Sequence, residues 1–96
     1  MKKMLLSLAT GLALTLAVPA QAACYADYKA KQESPLRLHY GVVKLPDSAC
    51  SGNRARANVQ QRLAANGWEL LKIVSTFDDS GLASRKSSAG GFFLKF

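Results

Sequence analysis

An α+β fold, in which a small, mainly antiparallel three-stranded sheet carries one main helix on one face, is predicted by three features of this chain. Residues 36–45 alternate with the period of a strand. Residues 53–66 hold good helix formers with a narrow apolar stripe. Residues 68–77 are rich in β-branched and aromatic side chains behind a glycine. With 96 residues, 49% hydrophobic and 20% charged, the chain has room for one small domain, and no repeat or linker divides it.

Residues 1–22 read separately. Met1-Lys2-Lys3 is a basic opening, Met4 to Val18 is an apolar run interrupted by Ser7, Thr10, Gly11 and Thr15, and Ala20-Gln21-Ala22 after Pro19 is a small-x-small cleavage signal. The run falls short of the ~20 apolar residues that span a bilayer. Residues 1–22 are therefore expected to be a bacterial signal peptide, with 23–96 exported as one domain, periplasmic or secreted, and no transmembrane segment after signal removal.

A domain this small has a marginal core, and a covalent staple helps it. Cys24 and Cys50 are the only cysteines, so in an oxidising compartment they are expected to pair. The bridge closes a loop of about 27 residues, worth roughly 3.5 kcal/mol on chain-entropy grounds. Gln21-Ala22-Ala23-Cys24 also resembles a lipobox with Gln21 where an apolar residue is usual. The alternative is thus a lipoprotein anchored at Cys24, which would leave Cys50 unpaired.

Along the remainder, Ala23 to Glu33 has neither Gly nor Pro and reads as a short helix or turn, ended by Ser34-Pro35. Leu36, Leu38, Tyr40 and Val42 alternate with Arg37, His39, Gly41 and Val43 as a strand that Pro46-Asp47 stops. Gly41 within it marks a bulge or a close approach. From Asn53 to Asn66 a helix is expected, with Ser51 or Asn53 as its cap and Ala55, Val59 and Leu63 on its buried stripe. Gly67 at C′ would make Trp68 the apolar partner of Leu63 in a Schellman cap, so Leu63, Gly67 and Trp68 form a structural cap joining helix to strand.

Trp68 to Phe77 is the second strand, with Leu71 and Ile73 assigned to the helix side. Asp78 to Gly91 reads as a mobile loop, and Phe92 to Phe96 as a third strand. The order is β-α-β-β. The handedness of the β-α-β crossover allows the first two strands to lie side by side in parallel, or the last to sit between them and antiparallel to both. The apolar pentapeptide 92–96 favours the second arrangement, with itself at the centre.

Leu36 to Leu45, Val59 to Asn66, Gly67-Trp68-Glu69-Leu70-Leu71 and Phe92-Phe93-Leu94-Lys95-Phe96 together resemble the bacterial family called domain of unknown function 4177. The span in which they lie, Leu36 to Phe96, takes in most of residues 23–96. The resemblance implies the fold and no activity. The leader, the Cys24 segment and the long Ser-Arg-Lys loop depart from that family's compact pattern.

Catalytic parts are scarce. His39 is the only imidazole, on the strand face shared with Arg37, and reads as a partly solvated strand residue. One His and two paired Cys make no zinc site, and Asp78-Asp79-Ser80-Gly81 lacks the spacing of a calcium loop and reads as a turn. Nothing in the sequence brings two of Asp27, Glu33, Asp47, Glu69, Asp78 and Asp79 into one cleft. No catalytic residue, metal or cofactor is expected.

What remains is charge, a formal net +7 over the whole chain. Arg54, Arg56 and Arg62 on the helix, with Arg85 and Lys86 in the loop, are a candidate surface for an anionic partner such as lipopolysaccharide, an acidic polysaccharide or an acidic protein. The alternative is ordinary solubilising charge. Nucleic acid is not an expected partner of an exported chain without an aromatic-basic groove motif.

The reading is a small exported non-enzymatic binding module, with the sheet face opposite the helix or a strand edge as contact surface. Its partner is an unknown protein or anionic envelope component, or a second copy in a homodimer, because the apolar groups exceed what one helix covers. The alternative is a small periplasmic enzyme or enzyme inhibitor with a pocket near Arg37, His39 and Tyr40.

Overall fold

The computed structural model describes residues 23–96, so the expected signal peptide lies outside the described residues. Strand β1 (Cys24–Gln32) leads through the turn at Ser34-Pro35, whose peptide bond is cis, into β2 (Arg37–Leu45). A 3-10 turn (Asp47–Ala49) precedes helix α1 (Gly52–Ala64), then β3 (Glu69–Phe77), a second 3-10 turn (Asp79–Gly81), helix α2 (Ala83–Ala89) and a last 3-10 turn (Gly90–Phe92). The three strands form an antiparallel sheet in the order β2-β1-β3, an α+β fold. Among the described residues no helix is long and apolar enough to cross a membrane.

The crossover β2-α1-β3 spans a strand inserted between its two ends and antiparallel to both, but that strand is β1 and not residues 92–96. The segment read as a short N-terminal helix or turn is therefore the central strand, and the element order is β-β-α-β-α rather than β-α-β-β. Its side chains suit the middle. Ala26, Tyr28 and Ala30 point to one face and Tyr25 and Asp27 to the other, all buried, and alternation across a strand delivers them to separate layers.

The face of Ala26, Tyr28 and Ala30 is joined by Val43 and Leu45 of β2 and Leu70 of β3, and α1 covers it with Ala55, Val59 and Leu63. On the other face Tyr25, Val42, Tyr40 and Phe77 meet Ala89 of α2 and Phe93. The segment read as a loop thus contains a second short helix, which covers the side of the sheet that α1 leaves bare.

The C-terminal pentapeptide is not a strand. Phe93 makes one parallel bridge to Val42 at the outer edge of β2, Leu94 N–H donates to Val42 C=O over 2.8 Å, and Leu94 then turns at φ 56°. A positive φ at a non-glycine residue ends extended pairing. Phe92 and Phe96 lie on the α1 side while Phe93 packs on the α2 side, so the tail laces over the edge of the sheet.

Helix α1 ends with the paired bonds of a Schellman motif. Gly67, at φ 82°, donates N–H to Ala64 C=O over 3.1 Å, and Trp68 N–H to Leu63 C=O over 2.9 Å. At the other end Ser51 occupies the N-cap without a side-chain bond to the helix. The disulfide Cys24–Cys50 ties the first residue of β1 to the turn before α1, with Cα atoms 5.8 Å apart.

The register of β3 shifts twice against β1, between Asp27 and Tyr28 and between Lys29 and Ala30. Val74 and Leu71 are left without partners, so Leu70 and Ile73, an odd number of residues apart, both reach the α1 core. Leu71, assigned to the helix side from strict alternation, is instead 42% exposed.

Candidate functional site

The α2 face of the sheet is built in rows. Pairing across the strands sets Phe77 beside Tyr25, Ser75 beside Asp27, Lys72 beside Lys29 and Glu69 beside Lys31. On the β2 side Tyr40 lies opposite Lys29 and Leu38 opposite Lys31. Directly opposed residues share a face. Helix α2 covers the first two rows and leaves the last two open.

Under α2 the centre is Asp27, only 3% exposed. Ser75 Oγ donates to its Oδ1 over 2.6 Å, while Tyr40 Oη at 2.7 Å and Arg85 Nε at 3.1 Å donate to Oδ2. Burial alone would raise this carboxyl, but the bonds from Ser75, Tyr40 and Arg85 and the guanidinium charge together hold it below its ordinary value of 3.8. Tyr40 is pushed up to about 12 by burial and by the Asp27 carboxylate that accepts its hydrogen bond. Arg85 also donates from Nη1 to Gly81 C=O over 2.8 Å, and its Cζ lies 3.9 Å from the centre of the Phe77 ring. Tyr25 stacks on Phe77 and donates to Asp79 Oδ1 over 2.7 Å. Every strong donor here already has an acceptor, so the cluster anchors α2 and offers no free nucleophile.

Beyond α2 the sheet opens into a concavity of about 340 Å³ lined by Lys29, Ala30, Leu38, His39, Tyr40 and Leu71. Leu38 is 66% exposed at its rim. Lys31 in the last row pairs with Glu33 at 2.7 Å and Glu69 at 3.9 Å. Lys29 and Lys72 face each other across the sheet, and neither reaches a carboxylate among the described residues.

His39 sits in a second cluster on the α1 side. Its ring stacks on Phe92 at 3.7 Å and 11°, meets the edge of Trp68 at 4.3 Å, and its Nε2 shares a 2.9 Å hydrogen bond with the phenol of Tyr28. Nδ1 is buried without a partner. Burial first, and the Lys95 ammonium second, lower the imidazole below 6.5. Burial pushes Tyr28 up to about 12, against a smaller downward pull from Arg62. His39 and Tyr40, adjacent in sequence, therefore serve opposite faces, and the structure bonds neither of them to Arg37.

Of the five cations read as a possible anion-binding surface, Arg62 is occupied in the scaffold. Its Nη1 donates to Lys44 C=O over 2.7 Å and to Asn58 Oδ1 over 2.9 Å, and its Nη2 to Phe96 C=O over 3.2 Å. Arg85 is held by Asp27 as described. Arg54 and Arg56 are exposed on α1 and Lys86 on α2, on opposite sides of the sheet, so the five do not form one patch. Among the described residues no three His, Cys, Asp or Glu side chains gather in one place.

The sequence features that carry the α2-side site are Asp27 and Ser75, which read only as an isolated acid and a strand polar residue. Their signal would have been a polar residue every second position in a strand whose other face is Ala-Tyr-Ala. Comparison with protein-family models, with curated proteins and with solved structures finds no match for this chain.

Proposed function

We propose that this chain is an exported, non-enzymatic binding module, held by the Cys24–Cys50 disulfide, whose contact surface is the part of the α2-side sheet face that α2 leaves open. The observation that carries the reading is the pairing of an open apolar surface (Leu38, Leu71 and the Tyr40 ring) with a rigid floor. Three strands supply that floor, and the Asp27 network fixes it from the adjoining rows of the same face, beneath α2. Protein contact sites are built from apolar anchors on a preorganised scaffold with a charged rim. The alternative, an enzyme or inhibitor working at His39, has less behind it: the imidazole is sandwiched by Phe92 and Trp68, and its bonded neighbour is a tyrosine rather than a carboxylate.

Complementation of a deletion strain separates the two. The binding reading expects His39→Gln to restore the wild phenotype and Leu38→Asp, at an exposed position with no fold to lose, to fail. The reverse pattern overturns it. Intact-mass analysis of the protein from its native envelope tests export and the bridge together, through the cleavage site, the presence of lipid on Cys24, and the mass deficit of a disulfide.

A further inference from the structure

Resting on that reading, we infer that the open face takes an acidic segment of another protein, an apolar anchor side chain entering the Leu38–Leu71 concavity while a neighbouring carboxylate sits between Lys29 and Lys72. Directly opposed like charges on a sheet repel and are destabilising. Here the pair lies one row from Lys31, which is matched by Glu33 and Glu69, so the strand supplies a counter-charge at one lysine and withholds it from the next. An incoming carboxylate relieves that repulsion, which makes its binding favourable in addition to its own attraction.

The shape of the surface selects the kind of occupant. Leu38 and Leu71 are 66% and 42% exposed, so the face is too open to enclose a free small molecule, whose sites bury most of the ligand. A bilayer is flat at this scale and would leave the concavity of about 340 Å³ empty. A second copy of the chain brings little free negative charge to this face, since Glu33 and Glu69, the carboxylates of these rows, are already held by Lys31. An extended or helical protein segment with acidic and apolar residues side by side satisfies shape and charge at once.

The test is a titration of the disulfide-intact, isotope-labelled protein, followed by amide resonances, with short synthetic peptides of alternating glutamate and leucine, serine and leucine, or lysine and leucine, and with anionic phospholipid vesicles. The expected result is that only the glutamate peptide shifts the amides of Leu38, Tyr40 and Leu71. Its affinity should fall about tenfold or more in the Lys29→Glu/Lys72→Glu variant and weaken with added salt. Lys29→Gln/Lys72→Gln, which removes charge without reversing it, should give an intermediate loss and an unchanged or higher melting temperature. Equal binding of the serine peptide at the same amides overturns the acidic preference while leaving a binding face in place. Preferential binding of vesicles, or no shift at this face with any peptide, overturns the inference outright, and the complementation result for Leu38→Asp then decides the broader reading on its own.

Discussion

Arg85 of α2 donates its Nε–H to the buried Oδ2 of Asp27 at the centre of the sheet over 3.1 Å, across a sequence separation of 58 residues. No other ion pair among the described residues involves a buried carboxylate. One side of the contact is the strand that both neighbours pair with, and the other is a seven-residue helix too short to be stable by itself. The pair therefore helps to hold the α2 layer on the sheet, beside the packing of Ala89 against Tyr25 and Val42.

Asp27→Ala leaves the guanidinium and the Tyr40 and Ser75 hydroxyls without their acceptor, and should cost about 3–5 kcal/mol by the usual penalty for breaking a buried pair on one side. Urea denaturation measures it. Hydrogen exchange should show the loss concentrated in residues 83–89.

Acid acts on the same group. The folded carboxyl of Asp27 lies below 3.8, so the unfolded chain binds this proton first. Its stabilising contribution is complete above that pH and declines as pH falls through the depressed folded value. Asp27→Asn should flatten the acid limb of a stability–pH curve measured by denaturant titration.

His39 tilts the curve in a second window. Its folded value lies below 6.5. As pH drops through about 6.5 the unfolded chain takes up the proton that the folded ring, facing Tyr28 and Lys95, resists. Stability should be full above that pH and lower beneath it. The dependence should vanish in His39→Gln, read as the thermal midpoint between neutral and mildly acidic pH.

Gly41 pairs with Tyr28, whose phenol ring lies directly over it, and a Cβ at that position would run into the ring. Gly41→Ala should therefore destabilise by about 1–3 kcal/mol, the usual cost of overpacking. In a Tyr28→Leu background the same substitution should cost less, and a double-mutant cycle gives the difference as a coupling energy.

Reduction of Cys24–Cys50 should lower the thermal midpoint and cost roughly 2–5 kcal/mol, as in other small bridged domains. Cys24→Ala/Cys50→Ala should reproduce the loss and become insensitive to reductant, read by thermal melts with and without dithiothreitol.

Legibility in the sequence followed the strength of the local pattern. The stripe Ala55, Val59, Leu63 and the Gly67-Trp68 pair announce α1 and its end, and the β-branched run announces β3. β1 does not announce itself, because its inward residues on one face are alanines around Tyr28 and its other face carries Asp27, which reads as a surface acid until Tyr40, Ser75 and Arg85 are seen around it. The α2 segment has no apolar residue beyond Leu82, Ala83 and Ala89, so composition favours a loop. Its anchors are long-range: the bond from Arg85 to Asp27, that from Tyr25 to Asp79, and the packing of Ala89 on the sheet. The three phenylalanines at the C-terminus signal burial correctly but not its form, since Leu94 breaks the extended backbone. Of the open face, Tyr40 is legible as a strand residue, whereas Leu71 needed the two register shifts, which no period reveals.

The same irregularities govern how copies of the molecule treat one another when crowded. A straight, bare outer strand is a template onto which further chains can be added to build a fibre. One rim of this sheet is blocked where Leu94 takes the Val42 carbonyl, and the other is bent out of true at Leu71 and Val74. Both flanks are thus interrupted, which disfavours templated growth along either one.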